Sequence, residues 1–172
     1  TMKKIFIILI SIGMISFSCD TPDNSPTVIG FSTGENGERS DITLESDVAE
    51  VWVEYLKAHN DRDYAKISEM NSEDIEVWGP AGQYIKGNEA HIEFLKEWVA
   101  ATDVKWTPQW FINNTGENTD TGQVNDYVTS GHQMTFTIDG EETIFYQVHD
   151  AVISDGKIIN FNVYEQQRAV NE

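Results

Sequence analysis

The chain of 172 residues has one cysteine, four prolines and 11 lysines and arginines against 29 aspartates and glutamates. A single cysteine excludes a disulfide framework and a multi-cysteine zinc site. The scarcity of basic residues leaves a formal charge of −18, which repels DNA, RNA and anionic headgroups. No nucleic-acid partner is expected. The sequence also lacks a G-x-G-x-x-G turn, a Walker loop, H-E-x-x-H, G-x-S-x-G and an EF-hand loop, so no cofactor is expected. Asn118 to Gly122 resembles a calcium loop only faintly and lacks its spacing. The histidines show no local metal motif, and no metal is expected. No internal repeat is present.

What is there is enough for one sizeable core. About 40% of residues are apolar and 11% aromatic, with five tryptophans. At about 150 residues per domain, the length fits one domain plus a tail.

The tail has an address. Met2-Lys3-Lys4 is followed by an apolar stretch from Ile5 to Phe17, closed by Ser18-Cys19. That is a charged start, an apolar run too short to span a bilayer, and a small-residue exit. Residues 1–18 read as a signal peptide. The sole cysteine stands where cleavage falls, which resembles a bacterial lipoprotein signal with Cys19 as the lipidated first residue. An ordinary secretory signal with a chance cysteine is the alternative. Cleavage leaves nine basic residues against 29 acidic, so membrane attachment, on the envelope's periplasmic or surface side, falls to the lipid anchor alone. Residues 19–43 hold Pro22, Pro26, Gly30, Gly34 and Gly37 among polar side chains and read as a flexible linker. The domain then occupies 44–172.

Val48, Val51, Trp52, Tyr55, Leu56 and His59 repeat at helical spacing, with Ser46 and Asp47 suited to the start and Asn60 to the stop. A short second helix follows Asp63, with Tyr64, Ile67 and Met70 on one face. Ile75 and Val77 alternate as a strand, and Gly79-Pro80-Ala81-Gly82 is a turn. A third helix after Gly87-Asn88 carries His91, Ile92, Leu95, Trp98 and Val99 on one face. Beyond Asp103 the period becomes two. Val104, Trp106, Pro108, Trp110 and Ile112 share one parity, and Pro108 argues for an edge or bulge. Asn113 to Gly122 reads as a polar loop. Val128, His132, Met134, Phe136 and Ile138 share the next parity, and Asp139-Gly140 and Asp155-Gly156 are hairpin turns. The sum is α+β, with three helices gathered on one face of a curved antiparallel sheet.

This order resembles the nuclear-transport-factor-2-like, or SnoaL-like, superfamily from about Asp47 to Gln167. The resemblance is carried by Tyr55-Leu56-Lys57-Ala58-His59-Asn60-Asp61-Arg62-Asp63, Asp74-Ile75-Glu76-Val77-Trp78-Gly79-Pro80, Lys86-Gly87-Asn88-Glu89-Ala90 and Asp155-Gly156-Lys157-Ile158. It implies a cone-shaped barrel with a central pocket between the first helix and the concave sheet. It also implies either enzymes, such as isomerases, cyclases, dehydratases and epoxide hydrolases, or non-catalytic binders. Against the ketosteroid-isomerase-like members, Tyr55 resembles the oxyanion tyrosine. The general base falls on Gly79, which cannot abstract a proton, and the second oxyanion donor falls near His149.

The candidate site residues follow from parity. Tyr55, His132 and His149 are the candidate catalytic or hydrogen-bonding groups. Trp52, His59, Trp106, Trp110, Met134, Phe136, Phe161 and Val163 are the candidate pocket wall. Each also has a structural reading, as a bonded core residue. His149 and Asp150, being adjacent in a strand, face opposite sides and do not form a dyad. Two functions remain. The favoured one is a lipid-anchored envelope domain that binds a small apolar or amphipathic molecule. The other is an isomerase, cyclase or dehydratase using Tyr55, His132 and His149. The row Ile144, Tyr146, Val148 and Val152 is too apolar for water, and a homodimer through that sheet face is expected.

Overall fold

The computed structural model describes residues 25–44, 46–138 and 140–168. The signal peptide and Cys19 lie outside them. Three helices, α1 (Ala49–Asp61), α2 (Tyr64–Met70) and α3 (Asn88–Thr102), pack on one sheet. The strands are β1 (Val28–Thr33), β2 (Arg39–Thr43), β3 (Asn71–Trp78), β4 (Tyr84–Lys86), β5 (Lys105–Glu117), β6 (Val124–Ile138), β7 (Glu141–Ser154) and β8 (Lys157–Gln166). Their order is β1-β2-β5-β6-β7-β8-β3-β4, a curved sheet that does not close into a barrel. Every pairing is antiparallel except β3 with β8.

The helix stripe forms as the spacing predicts, with Trp52, Tyr55, Leu56, Ala58 and His59 buried on α1. The helix starts at Ala49 without a side-chain cap and runs to Asp61, one residue past the expected stop. Arg62 ends it in the left-handed conformation. Its guanidinium bonds the His59 carbonyl at 2.9 Å and the Val104 carbonyl at 2.6 Å, tying the end of α1 to the entry of β5. Asn60 does more than stop a helix. Its amide donates to the Trp106 carbonyl at 2.8 Å and accepts from the Trp106 N–H at 2.9 Å, standing in for a neighbouring strand. At α2, Asp63 caps by accepting from the Lys66 N–H at 2.9 Å. Gly87, at φ 96°, turns the chain into α3, a conformation that disfavours any side chain.

Three expectations are corrected. Residues 28–43 are not a linker but the β1–β2 hairpin, docked on β5 through Ile42↔Gly116 and Thr43↔Thr115. Its apolar residues are few, and Val28, Ile29 and Phe31 are exposed, so composition resembles a tether while backbone ladders hold it. Second, β5 continues to Glu117, through what reads as a polar loop, because β2 and β6 flank it on both sides there. Third, the parity of β5 switches. Pro108 has no N–H, and the ladder to β6 shifts between Pro108 and Trp110. Trp106 is buried, whereas Trp110 and Ile112 are exposed and Phe111 turns inward.

The β7–β8 turn uses Asp155 at φ 51° and Gly156 at φ 72°, the doubly left-handed geometry of a two-residue hairpin.

Candidate ligand-binding site

A cavity of about 280 Å³ lies between α1, α3 and the concave side of β5–β8. Trp52, Tyr55, Leu56 and His59 reach it from α1, and His91, Phe94, Leu95 and Trp98 from α3. Trp106, Phe136, His149, Phe161 and Val163 form the sheet side. Gly79, Pro80, Ala81 and Gln83, between β3 and β4, reach it from the third side, and Glu165 adds a carboxylate among the lining residues. The wall is dominated by aromatic and aliphatic groups, with few polar atoms, the usual make-up of a small-molecule site.

Most of the expected wall is thus present, and three residues are not part of it. Trp110 lies on the outer face over Gly131, as the bulge in β5 requires. Met134 is fully buried and packs in the core. His132 has the right parity but sits behind His149, ring centroids 4.5 Å apart, with Phe111 on its other side. With Trp110, Gly131, Tyr146, Val148 and Tyr164 it lines a second, outer cavity of about 210 Å³. Tyr55, His132 and His149 therefore do not converge on one position.

Two hydrogen-bond networks set the chemistry of the polar groups. The first starts at the Ser68 carbonyl, which only accepts. It fixes the Asn88 amide nitrogen at 3.0 Å, so Asn88 Oδ1 faces Asn71 and accepts from its Nδ2 at 2.9 Å. Asn71 Oδ1 consequently accepts from the Tyr55 hydroxyl at 2.5 Å, and Asn71 Nδ2 also donates to His91 Nδ1 at 3.2 Å. Tyr55 has committed its only proton, and burial holds its pKa well above the usual value. His91 must then carry its proton on Nε2. His59 is fixed the opposite way. Its Nδ1 donates to the Tyr55 carbonyl at 2.8 Å, which leaves Nε2 as a bare acceptor.

The second network centres on Gln147. Its Oε1 accepts from Trp106 Nε1 at 3.0 Å and from His149 Nε2 at 2.9 Å, while its Nε2 donates to Glu165 at 2.8 Å. Trp106 can only donate and the carboxylate only accepts, so this amide has one orientation.

Burial pushes all four histidines down. His59 falls to about 4, through desolvation and nearby Arg62 against the opposing bond to the Tyr55 carbonyl. His91 falls to about 3, through desolvation and His59, and His132 to about 4 through desolvation. His149 lies well below the ordinary value, through desolvation, then His132 and His59. All are neutral at pH 7. Among the described residues, the sealed polar atoms without a partner are Trp52 Nε1, Asn125 Oδ1, His132 Nδ1 and His149 Nδ1. Nε2 of His59 and of His91 also make no bond to the protein, but they are not sealed: both rings line the cavity. No group of three or more histidines, cysteines, aspartates or glutamates among the described residues is placed to hold a metal.

Sequence reading missed His91, Asn71 and Gln147 as site residues. For His91 a signal existed, a polar residue on the apolar stripe of α3. Asn71 and Gln147 act through partners in other elements and leave no local pattern.

Solved structures share this architecture. An NTF2-like protein of unknown function from Burkholderia pseudomallei superposes with a TM-score of 0.58 at 16% identity, over 71% of this chain and 92% of that one. The fold is that of the NTF2-like proteins. A LEH-like epoxide hydrolase of Mycobacterium tuberculosis matches at TM-score 0.55 and 14% identity, over 68% of this chain and 80% of its own. TerC, co-crystallized with polyporic acid, matches at 0.57 and 20%, over 70% and 92%. No family model and no curated protein matches the sequence. At these identities the likeness of this chain to the others is one of fold, and its function rests on its own site.

Proposed function

We propose that this NTF2-like domain is a non-catalytic receptor, tethered to the bacterial envelope through lipidated Cys19, that holds one small, largely apolar molecule in its cone. The observation that carries the reading is the cavity of about 280 Å³, aromatic-walled and furnished with two unengaged imidazole nitrogens. Its volume lies just below that of drug-sized ligand pockets, which run roughly 300–1,000 Å³, and so suits a small molecule. Catalysis by Tyr55, His132 and His149 finds no support in the geometry. Tyr55 has spent its proton on Asn71 and His132 lies off the cavity, and the position that the resemblance to the isomerase-like members assigns to the base is Gly79.

The test is a neutral fluorescent probe, N-phenyl-1-naphthylamine, titrated into the full chain. Saturable enhancement at one site per chain is expected. Val163→Trp, which fills the cavity from β8, should abolish it with the fold intact by circular dichroism. Undiminished binding in that variant, or no saturable binding in the parent, would overturn the reading.

A further inference from the structure

Both unengaged nitrogens belong to rings that are more than nine-tenths buried, His59 at 7% and His91 at 2% exposure. Their protonation is not free to choose. The chain Ser68–Asn88–Asn71 makes His91 a donor at Nε2, and the Tyr55 carbonyl makes His59 an acceptor at Nε2. The ring centroids lie 6.0 Å apart. A separation of that size is compatible with one oxygen bridging the two rings through hydrogen bonds of about 2.8–3.0 Å.

We propose, building on the reading of the cavity as a binding site, that His59 and His91 select a neutral hydroxyl-bearing ligand, an alcohol, phenol or enol. Its oxygen accepts from His91 Nε2–H while its O–H donates to His59 Nε2. Other ligand classes leave something unpaired. A ketone or ether satisfies His91 but strands the His59 lone pair in an apolar site. A carboxylate meets one donor and one lone pair, with the Glu165 carboxylate also among the cavity residues. An ammonium meets the His91 N–H head-on. A plain hydrocarbon leaves both nitrogens without a partner. The selection is positional rather than electrostatic, because both rings are uncharged and held by backbone and amide groups.

The experiment compares four neutral or anionic probes of one shape on the full chain at pH 7.5: 2-naphthol, naphthalene, 2-methoxynaphthalene and 2-naphthoate. Two net hydrogen bonds predict that 2-naphthol binds about five- to 150-fold more tightly than naphthalene, with the methoxy compound and naphthoate below it. His91→Leu should bring the ratio of 2-naphthol to naphthalene affinity down toward one. Nitrogen-15 NMR reads the tautomers without any ligand: a protonated Nε2 on His91 and a protonated Nδ1 on His59 are expected. Naphthalene binding without a preference for naphthol, or either tautomer reversed, overturns this proposal and leaves the binding site standing. Binding by none of the four overturns both.

Discussion

Tyr55 shows how a side chain on the expected face has a job that its position alone does not reveal. Its ring lines the cavity, but its hydroxyl is bonded to Asn71 at 2.5 Å. Tyr55→Phe would strand Asn71 Oδ1 in the interior, at about 1–3 kcal/mol. For a domain of this size the melting temperature should fall by roughly 3–10 °C. Scanning calorimetry checks it; an unchanged melt would mean that the hydroxyl is held for a ligand instead. The inward-facing position of Tyr55 was legible from helical spacing. Its partner, 16 residues away in another element, was not, since pairing across elements has no periodicity. The histidines give a second test. Their folded pKa values lie below the ordinary 6.5, at about 4 for His59 and about 3 for His91, so the unfolded chain binds more protons below pH 6.5. Stability is therefore full above pH 6.5 and is lost as pH falls toward 4, by up to about 2 kcal/mol per histidine at pH 5. Urea midpoints at pH 7.5, 6 and 5 should fall in order. His91→Leu should make that decline shallower, and an equally steep fall would show that His91 is not buried neutral.

At the level of elements, alternation and turn chemistry read well where a strand stays regular. The inward row of β7, Gln147, His149, Ala151 and Ile153, is buried as its parity requires. They read badly where the backbone carries an irregularity. The ladder shift after Pro108 sends Trp110 outward although it shares parity with Trp106, and a residue count cannot see a bulge. The β1–β2 hairpin was illegible for another reason: it is stabilised by main-chain pairing, with Val28, Ile29 and Phe31 all about half exposed. Its worth can be measured. Removing residues 25–44 uncovers the edge of β5 at Thr115–Gly116, where β2 now pairs. The shortened chain should melt several degrees lower and associate with concentration, as unpaired edges do. Because the hairpin supplies no cavity residue, N-phenyl-1-naphthylamine should bind it as before. An unchanged melting temperature and a monodisperse solution would restore the linker reading.

For the whole molecule, the folded hairpin shortens whatever leash exists. Between Cys19 and Val28 only nine residues of reach remain, at most roughly 30 Å when extended. If Cys19 is acylated, the domain rides within that distance of the bilayer, and Cys19→Ala should shift it from the membrane pellet to the soluble envelope fraction. A mutant that still pellets would refute the anchor. The outer face of the sheet makes the other demand. Trp110, Ile112, Ile144 and Tyr164 are 42%, 54%, 40% and 58% exposed there. Tyr146 and Val148 lie among them, with the Arg168 guanidinium 3.7 Å above the Tyr146 ring. The helices cover the opposite face, and among the described residues Arg168 shields only the Tyr146 part of this row. A strongly acidic protein gains solubility from charge, which makes a largely apolar row at the centre of its sheet costly unless a second copy covers it. Two chains related by a twofold axis would bury the row against itself. Light scattering at micromolar concentration should then give twice the chain mass. Val148→Glu, at the middle of the row, should halve that mass while leaving the cavity and its probe binding intact. A single-chain mass for the unaltered protein would sink the dimer and leave the patch to a different partner.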